Sequence, residues 1–371
     1  MPANPQVSIL PQVSILMVAR NAGRTIDAAL LSARRQTVSA IEIVVVDDGS
    51  VDDTPALAQA HAAADPRVRV LPGPRRGLSA VRNASLAAAA APLALILDSD
   101  DLLHPRHVER LLRARQRAGA QVCAANMLAF AVEDGGRALR AALFARGDAW
   151  RVPQDIGAAQ FVAASMIGGG GVSPGYLKPL LDLGFLRAHG LAYDERLRIG
   201  EDFDLVLRCL MAGARYRFAP EPTYFYRRHA ASTSHRLDRA DLTGLLLALD
   251  QADAAAGADC ALARALAARR VNLTGTLRHL DSVAAFKQRA WGRAVALLRG
   301  DPVARRLMRD SVREGLARRL GLPARPQPGT RHRLAGADAV LPCLEALADA
   351  LILSTPLPEP VHAADRLPVS A

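Results

Sequence analysis

Ile41-Glu42-Ile43-Val44-Val45-Val46-Asp47-Asp48-Gly49-Ser50 is the stretch on which the fold turns. An apolar run broken only by Glu42 stops abruptly on two aspartates, a glycine and a serine. A strand buried on both faces reads this way, because neither of its side-chain directions reaches water. The flanking segments agree with it. Upstream, Val13–Val18 reads as a first strand and Ile26–Arg35 as a helix. Downstream come a helix over Thr54–Ala64, with Ser50, Asp52 or Asp53 available as its cap, and a short strand over Val68–Leu71. An Ala-rich helix over Leu78–Ala90, a strand over Leu93–Leu97 that stops at Asp98, and a helix over Pro105–Ala118 complete the series. Strands alternating with helices of this length predict an α/β fold: a Rossmann-like, mostly parallel sheet with helices on both faces. Ligands of such sheets bind beyond the carboxyl ends of the strands. The acidic clusters Asp47–Asp48 and Asp98–Asp101 both lie there.

After about Ala120 the alternation weakens. Gly168–Gly171 is a four-glycine run that no regular element tolerates well, and it reads as a mobile loop. Leu205–Ala212 reads as a helix, and Tyr216–Arg228 as short strands broken by Pro220 and Pro222. Leu237 to Leu320 is mainly helical, Pro residues continue through Pro328, and a last helix spans Ala335–Leu353 before a tail expected to be disordered. The immediate repeat PQVSIL, over Pro5–Leu10 and Pro11–Leu16, makes the first copy a loosely attached extension. The expected organisation is an extension over 1–12, an α/β domain over 13–236, a basic helical region over 237–322, and a tail with one helix over 323–371.

The 371 residues carry a formal charge of +11, and its location decides its meaning. Between Arg269 and Arg333 stand 16 Arg or Lys against Asp281, Asp301, Asp310 and Glu314, an excess of 12. The remainder therefore carries 11 − 12, or −1, and is near neutral. No nucleic-acid motif accompanies the charge, so no nucleic-acid partner is expected. Cys123, Cys209, Cys260 and Cys343 are scattered without a CxxC pair, which suits reduced thiols better than disulfides or a zinc site. No apolar run approaches the roughly 18 residues of a membrane span. A secretory signal is not evident either, so the expected location is the cytoplasm.

Five clusters can carry chemistry. Asp98-Ser99-Asp100-Asp101 crowds carboxylates at a strand end, which suits a hard divalent cation such as Mg2+ or Mn2+, or else simply caps the segment from Leu102 onward. In the turn after Val46, Asp48 is placed to accept from an N–H donor such as a pyrimidine ring; an ordinary acidic turn reads the same way. Gly77–Asn83 puts Arg82 near a helix start, where it either meets a ligand or is one more surface arginine. Gly200-Glu201-Asp202-Phe203-Asp204 offers a general base or a set of capping acids. Tyr226-Arg227-Arg228-His229, with Ser232, Ser234 and His235, offers cations and hydroxyls for a diphosphate, or a basic turn.

Taken in order, these segments resemble family 2 glycosyltransferases of the GT-A fold. VSILMVARNAGRTI is similar to that family's opening strand and loop, VVVDDGSVDDT to its uracil-binding turn, and GLSAVRNAS to its next helix start. LILDSDD is similar to the metal-binding DxD segment, and GEDFDL to the segment carrying the base. The match runs from Val13 to His235. The resemblance implies Asp48 on uracil, Asp98 on ribose or metal, Asp100 as principal metal ligand with Asp101 beside it, and Asp202 as base. It places Ala19, Asn21, Arg82, Glu201 and Arg228 around the donor, and implies inversion by direct displacement. One departure is Val18-Ala19-Arg20-Asn21, where many relatives have Pro-x-Tyr-Asn.

GYLKPLLDLGFLRAHGLAYDERLRIGEDF further resembles bacterial exopolysaccharide glucosyltransferases of the succinoglycan type. That implies UDP-glucose as donor and a saccharide on a polyprenyl diphosphate as acceptor. The alternating apolar and Arg residues of Leu297–Leu320 suit either an anionic membrane surface or a solvated helix face. Two rivals stay open. A nucleotidyltransferase would need a Gly-rich, Lys-containing loop near the first strand, and Asn21–Thr25 has one Gly and no Lys. A non-catalytic sugar-nucleotide-binding scaffold would keep the fold and lose the base.

Overall fold

The computed structural model describes residues 10–168, 172–228, 237–320, 330–334 and 337–353. Its first half is β1 (Val13–Ala19), α1 (Ile26–Arg34), β2 (Ile41–Asp47), α2 (Thr54–Ala64), β3 (Val68–Pro72), α3 (Leu78–Ala88) and β4 (Leu93–Ile96). These strands lie in the order β3-β2-β1-β4, all parallel. Every residue of β2 from Ile41 to Val46 is buried, Glu42 included. Glu42 is tolerated because Ser14, Arg69 and the Ala90 N–H all donate to its carboxylate. The chain reverses its strand order at β1, so the crevice between β1 and β4 is the expected ligand position.

The second half departs from the parallel expectation. It adds β5 (Leu102–Leu103), α4 (His107–Ala118), β6 (Val122–Glu133), β7 (Ala138–Leu143), β8 (Gln154–Asp155), α5 (Ala158–Ala164), β9 (Pro179–Asp182), α6 (Leu183–Ala188), α7 (Glu201–Met211) and β10 (Tyr216–Arg227). β9 is inserted between β4 and β6, antiparallel to both. β7 is antiparallel to β6, and β10 is parallel to β6 but antiparallel to β5 and β8. The sheet is therefore mixed rather than mostly parallel, with its parallel character confined to the first half and the β6–β10 pair. Pro220 and Pro222 do not divide β10. They sit where its register against β6 shifts between Ala219 and Tyr224, the kind of irregularity at which a strand can lack N–H donors.

The C-terminal part comprises α8 (Arg239–Ala255), α9 (Cys260–Lys287), α10 (Trp291–Leu298), α11 (Pro302–Arg319), β11 (Thr330–Arg333) and α12 (Val340–Leu353). β11 pairs with β7 at the sheet edge. Leu242, Leu245, Leu249, Leu262, Leu266 and Leu273 of α8 and α9 enter the same apolar core as β1 and β2. α12 closes a smaller cluster with Leu102, Phe130 and Phe225. All four cysteines are free thiols. Among the described residues, no helix is long and apolar enough to cross a membrane. Most of the first PQVSIL copy, three residues of the glycine run, the segment from His229 to Arg236, the Pro-rich stretch and the tail after Leu353 lie outside the described residues.

Candidate active site

The carboxyl ends of the parallel strands deliver one group of expected residues to one place. Ala19 ends β1 opposite Asp47, and its carbonyl accepts the Asp48 N–H at 2.8 Å. Asn21, at φ 53°, accepts the Val51 N–H on its side chain and donates its own N–H to Ser50, so it ties the first loop to the second. Asp48 is buried, and its Oδ1 accepts the Arg75 N–H at 2.6 Å. Gly73 makes this approach feasible: a Cβ there would lie 2.8 Å from Asp48 Oδ1 and 2.9 Å from Asp48 Cα.

A second group forms a buried ionic cluster across the β4 end. Arg82 lies on the buried face of α3, with its side chain 4% exposed. Its Nη2 donates to Asp98 Oδ1 at 3.1 Å, its Nε stands 3.4 Å from Glu201 Oε1, and its Nη1 stands 3.5 Å from Asp202 Oδ1. Lys178 bridges the remaining oxygens, with Nζ at 2.8 Å from Asp202 Oδ2 and 2.9 Å from Asp98 Oδ2. Burial pushes the Asp98 carboxyl up, but Lys178 and Arg82 outweigh it and hold the group at about 2. Asp202 behaves alike: burial raises it, yet Arg82 and Lys178 bring it below its ordinary value. Glu201 goes the other way, to about 7, through burial and then the neighbouring charge of Asp202. Asp202 Oδ1 is buried with no hydrogen-bond partner among the described residues.

Asp98, Asp100 and Asp101 complete the site. One oxygen from each lies within 4.8 Å of the others. Asp101 is wholly buried, accepting from the Tyr224 hydroxyl at 2.7 Å and from the Arg227 N–H at 2.8 Å. Burial, followed by Asp100 and Asp98, drives its carboxyl well above the usual range. Arg227 Nε also donates to the Asp100 carbonyl. Arg227 is thus bonded to the acidic cluster, and the Arg228 N–H goes to the Phe130 carbonyl. The set fits a hard divalent ion. It offers one oxygen from each of three carboxylates within 4.8 Å of one another, and the repulsion by which Asp100 and Asp98 raise Asp101 is one that a cation relieves.

Known proteins carry the same arrangement of sequence. Residues 14–159 match the family described as "Glycosyl transferase family 2". The succinoglycan biosynthesis protein ExoO of Rhizobium meliloti is 34% identical over 304 residues, covering 81% of this chain and 85% of that protein.

The chain belongs to glycosyltransferase family 2.

Two solved structures share its fold at 16% identity. One is Staphylococcus aureus TarS 1-349 in complex with UDP-GlcNAc, with TM-score 0.53, covering 85% of this chain and 93% of that one. The other is the mannosyltransferase PcManGT of Pyrobaculum calidifontis in complex with GDP-Man and Mn2+, with TM-score 0.55, covering 93% and 86%. The fold of this glycosyltransferase is therefore GT-A. Sequence reasoning missed Lys178, Tyr193 and Tyr224 in its site. Tyr193 is buried with its ring 5.6 Å from the Arg82 guanidinium. A signal for Lys178 did exist: it is one of two lysines in a chain where arginine is otherwise the cation. Its ammonium is a compact point charge on a flexible stem, unlike the planar fork of the guanidinium.

Proposed function

We propose that this glycosyltransferase moves a sugar from a UDP-sugar, UDP-glucose first among candidates, to a saccharide acceptor with inversion at the anomeric carbon. The observation that carries this reading is Asp202: a mostly buried carboxylate held ionised by Arg82 and Lys178, with Oδ1 paired to Arg82 at 3.5 Å but without a hydrogen-bond partner among the described residues. In a direct displacement the acceptor hydroxyl attacks the anomeric carbon from the face opposite UDP. Its proton passes to Asp202 Oδ1. The bond to the diphosphate oxygen breaks, and its electron pair leaves with UDP. One carboxylate suffices for a displacement of this kind.

Asp48 would accept from the uracil ring, using the oxygen that Arg75 leaves open, with Ala19 and Asn21 lining that side. Asp98 would meet ribose or metal, Arg82 and Glu201 would hold the donor side of the cluster, and Arg228 would serve the diphosphate. Asp100, with Asp98 and Asp101, would hold Mg2+ or Mn2+. Such an ion, when bound, neutralises the charge that develops on the leaving diphosphate.

The relationship to a succinoglycan biosynthesis protein supports a place in exopolysaccharide or cell-surface glycan synthesis, with a polyprenyl-diphosphate-linked saccharide as acceptor. Peripheral contact with the inner face of the plasma membrane suits that acceptor. The surface of α11 exposes Arg305, Arg306, Arg309 and Arg313 beside Val312 and Leu316.

The experiment is Asp202→Asn. We expect transfer to fall by roughly 10²–10⁴-fold, the usual worth of a positioned base, with UDP affinity retained. Near-normal turnover in that variant removes Asp202 from the base role.

A further inference from the structure

The antiparallel insertion of β9 has a chemical consequence. Parallel strands bring only their carboxyl ends to the ligand crevice, so side chains arrive there from the loops beyond those ends. β9 runs the other way, with Leu180 opposite Leu95 and Asp182 opposite Leu93. Its amino end therefore meets the carboxyl end of β4, and Lys178, just before Pro179, stands over Asp98. β6 clamps β9 from the other side, with Pro179 opposite Ala124. The backbone that carries Lys178 is thus fixed from two sides at the point where β4 gives way to the aspartate cluster.

The ammonium makes two contacts of nearly equal length, 2.8 Å to Asp202 Oδ2 and 2.9 Å to Asp98 Oδ2. Its side chain is 10% exposed, so neither contact competes strongly with water. A bare pair of carboxylates would repel at this distance. Lys178 turns that repulsion into a bridge between the base and the donor-binding aspartate. It also makes the two oxygens of Asp202 unequal. Oδ2 is occupied, whereas Oδ1 faces Arg82 Nη1 at 3.5 Å and has no hydrogen-bond partner among the described residues.

We propose that Lys178 is the positioning residue of the transfer reaction: it ties Asp202 to Asp98 and selects Oδ1 as the oxygen that takes the acceptor's proton. This rests on the reading of Asp202 as the base. Both contacts of Lys178 are to carboxylates, so in this reading it acts through Asp202 rather than on the acceptor or the reacting carbon.

The test uses the purified full chain, monitoring UDP release from a panel of UDP-sugars with water or octyl glucoside as acceptor. UDP affinity is measured in parallel by calorimetry with Mn2+ present. Lys178→Met should lower kcat roughly a hundredfold, the order of loss that a base misplaced by about 1 Å incurs. Its KM for the donor and its UDP affinity should stay within about threefold. Lys178→Arg, which keeps the charge and some of the bridge, should recover part of the loss. If the methionine variant does not fold, Lys178→Gln, which keeps one donor, carries the same expectation.

Asp202→Asn separates the two claims. An inactive Asp202→Asn beside a Lys178→Met of near-normal kcat overturns the positioning role alone. A Lys178→Met that loses UDP affinity and kcat together also overturns it, since that is donor binding. An active Asp202→Asn, or a wild-type chain releasing UDP from no UDP-sugar, overturns the underlying function and this inference with it.

Discussion

Glu201, which is buried, and Asp202, whose side chain is 13% exposed, are adjacent on the first turn of α7, yet their environments push them apart. Asp202 meets Arg82 and Lys178 directly and is lowered; burial and then the charge of Asp202 raise Glu201 from 4.5 to about 7, and Arg82 and Lys178 offset only part of that. The direction of that shift sets its effect on stability. A carboxyl raised in the folded state contributes stability that is fully present below about pH 4.5 and is lost as pH rises through about 7. Melting temperature should therefore fall across that window, and Glu201→Gln should flatten the slope. Parallel pH profiles for the two proteins would show that Glu201 does not titrate there. The cluster was only half legible from the sequence. Asp98, Arg82, Glu201 and Asp202 are visible as candidates, but Arg82 reads equally as a surface arginine until α3 is seen to bury it. The partner that joins them, Lys178, lies more than 20 residues from each of the five chemistry-bearing clusters, so no local spacing points to it.

At the scale of elements, the site depends on where α7 begins. An apolar run suggests a helix from Leu205, but the helix starts at Glu201, because acidic residues favour a helix's first turn through its dipole. Gly200 sets that start. It has φ 86°, and a Cβ there would lie 2.5 Å from Leu245 Cδ2 on α8. Gly200→Ala should cost about 1–3 kcal/mol from the backbone strain alone, read by urea unfolding, and should reduce turnover more than UDP affinity. An unchanged unfolding midpoint would mean the turn relaxes freely. The elements lost to sequence reading were β5 to β9, α5, α6 and β11: β6 has its first nine residues all buried, a run whose periodicity marks neither strand nor helix, whereas β8 and β9 have only two and four residues. Strands that short complete no alternation pattern, and their place is decided by pairing with β10, β4 and β6 rather than by local propensity. The parallel half was legible because its central strands are buried on both faces and its helices return at regular spacing.

At the scale of the whole molecule, the basic C-terminal part is joined to the catalytic part by a shared core. Phe203, one residue beyond Asp202, carries the Arg269 guanidinium of α9 at 3.8 Å over its ring, and Phe161 of α5 stacks on the same phenylalanine. Cutting the chain near Asp238 would strip the leucines of α8 and α9 from that core, so a membrane role is better tested on the surface. Replacing Arg305, Arg309 and Arg313 by Gln should weaken co-sedimentation with anionic vesicles roughly a hundredfold, at about 1 kcal/mol per arginine near the surface. Co-sedimentation equal to wild type would place the membrane contact elsewhere. The net charge of the sequence located this region but not its attachment, since burial of α8 and α9 depends on partners distant in the chain. The most direct test of the whole account is calorimetric titration with UDP, with and without Mn2+, against ADP and GDP. The account predicts uridine-selective binding that requires the metal and is lost in Asp100→Ala. Equal binding of the three nucleotides, or no binding with Mn2+ present, would contradict it.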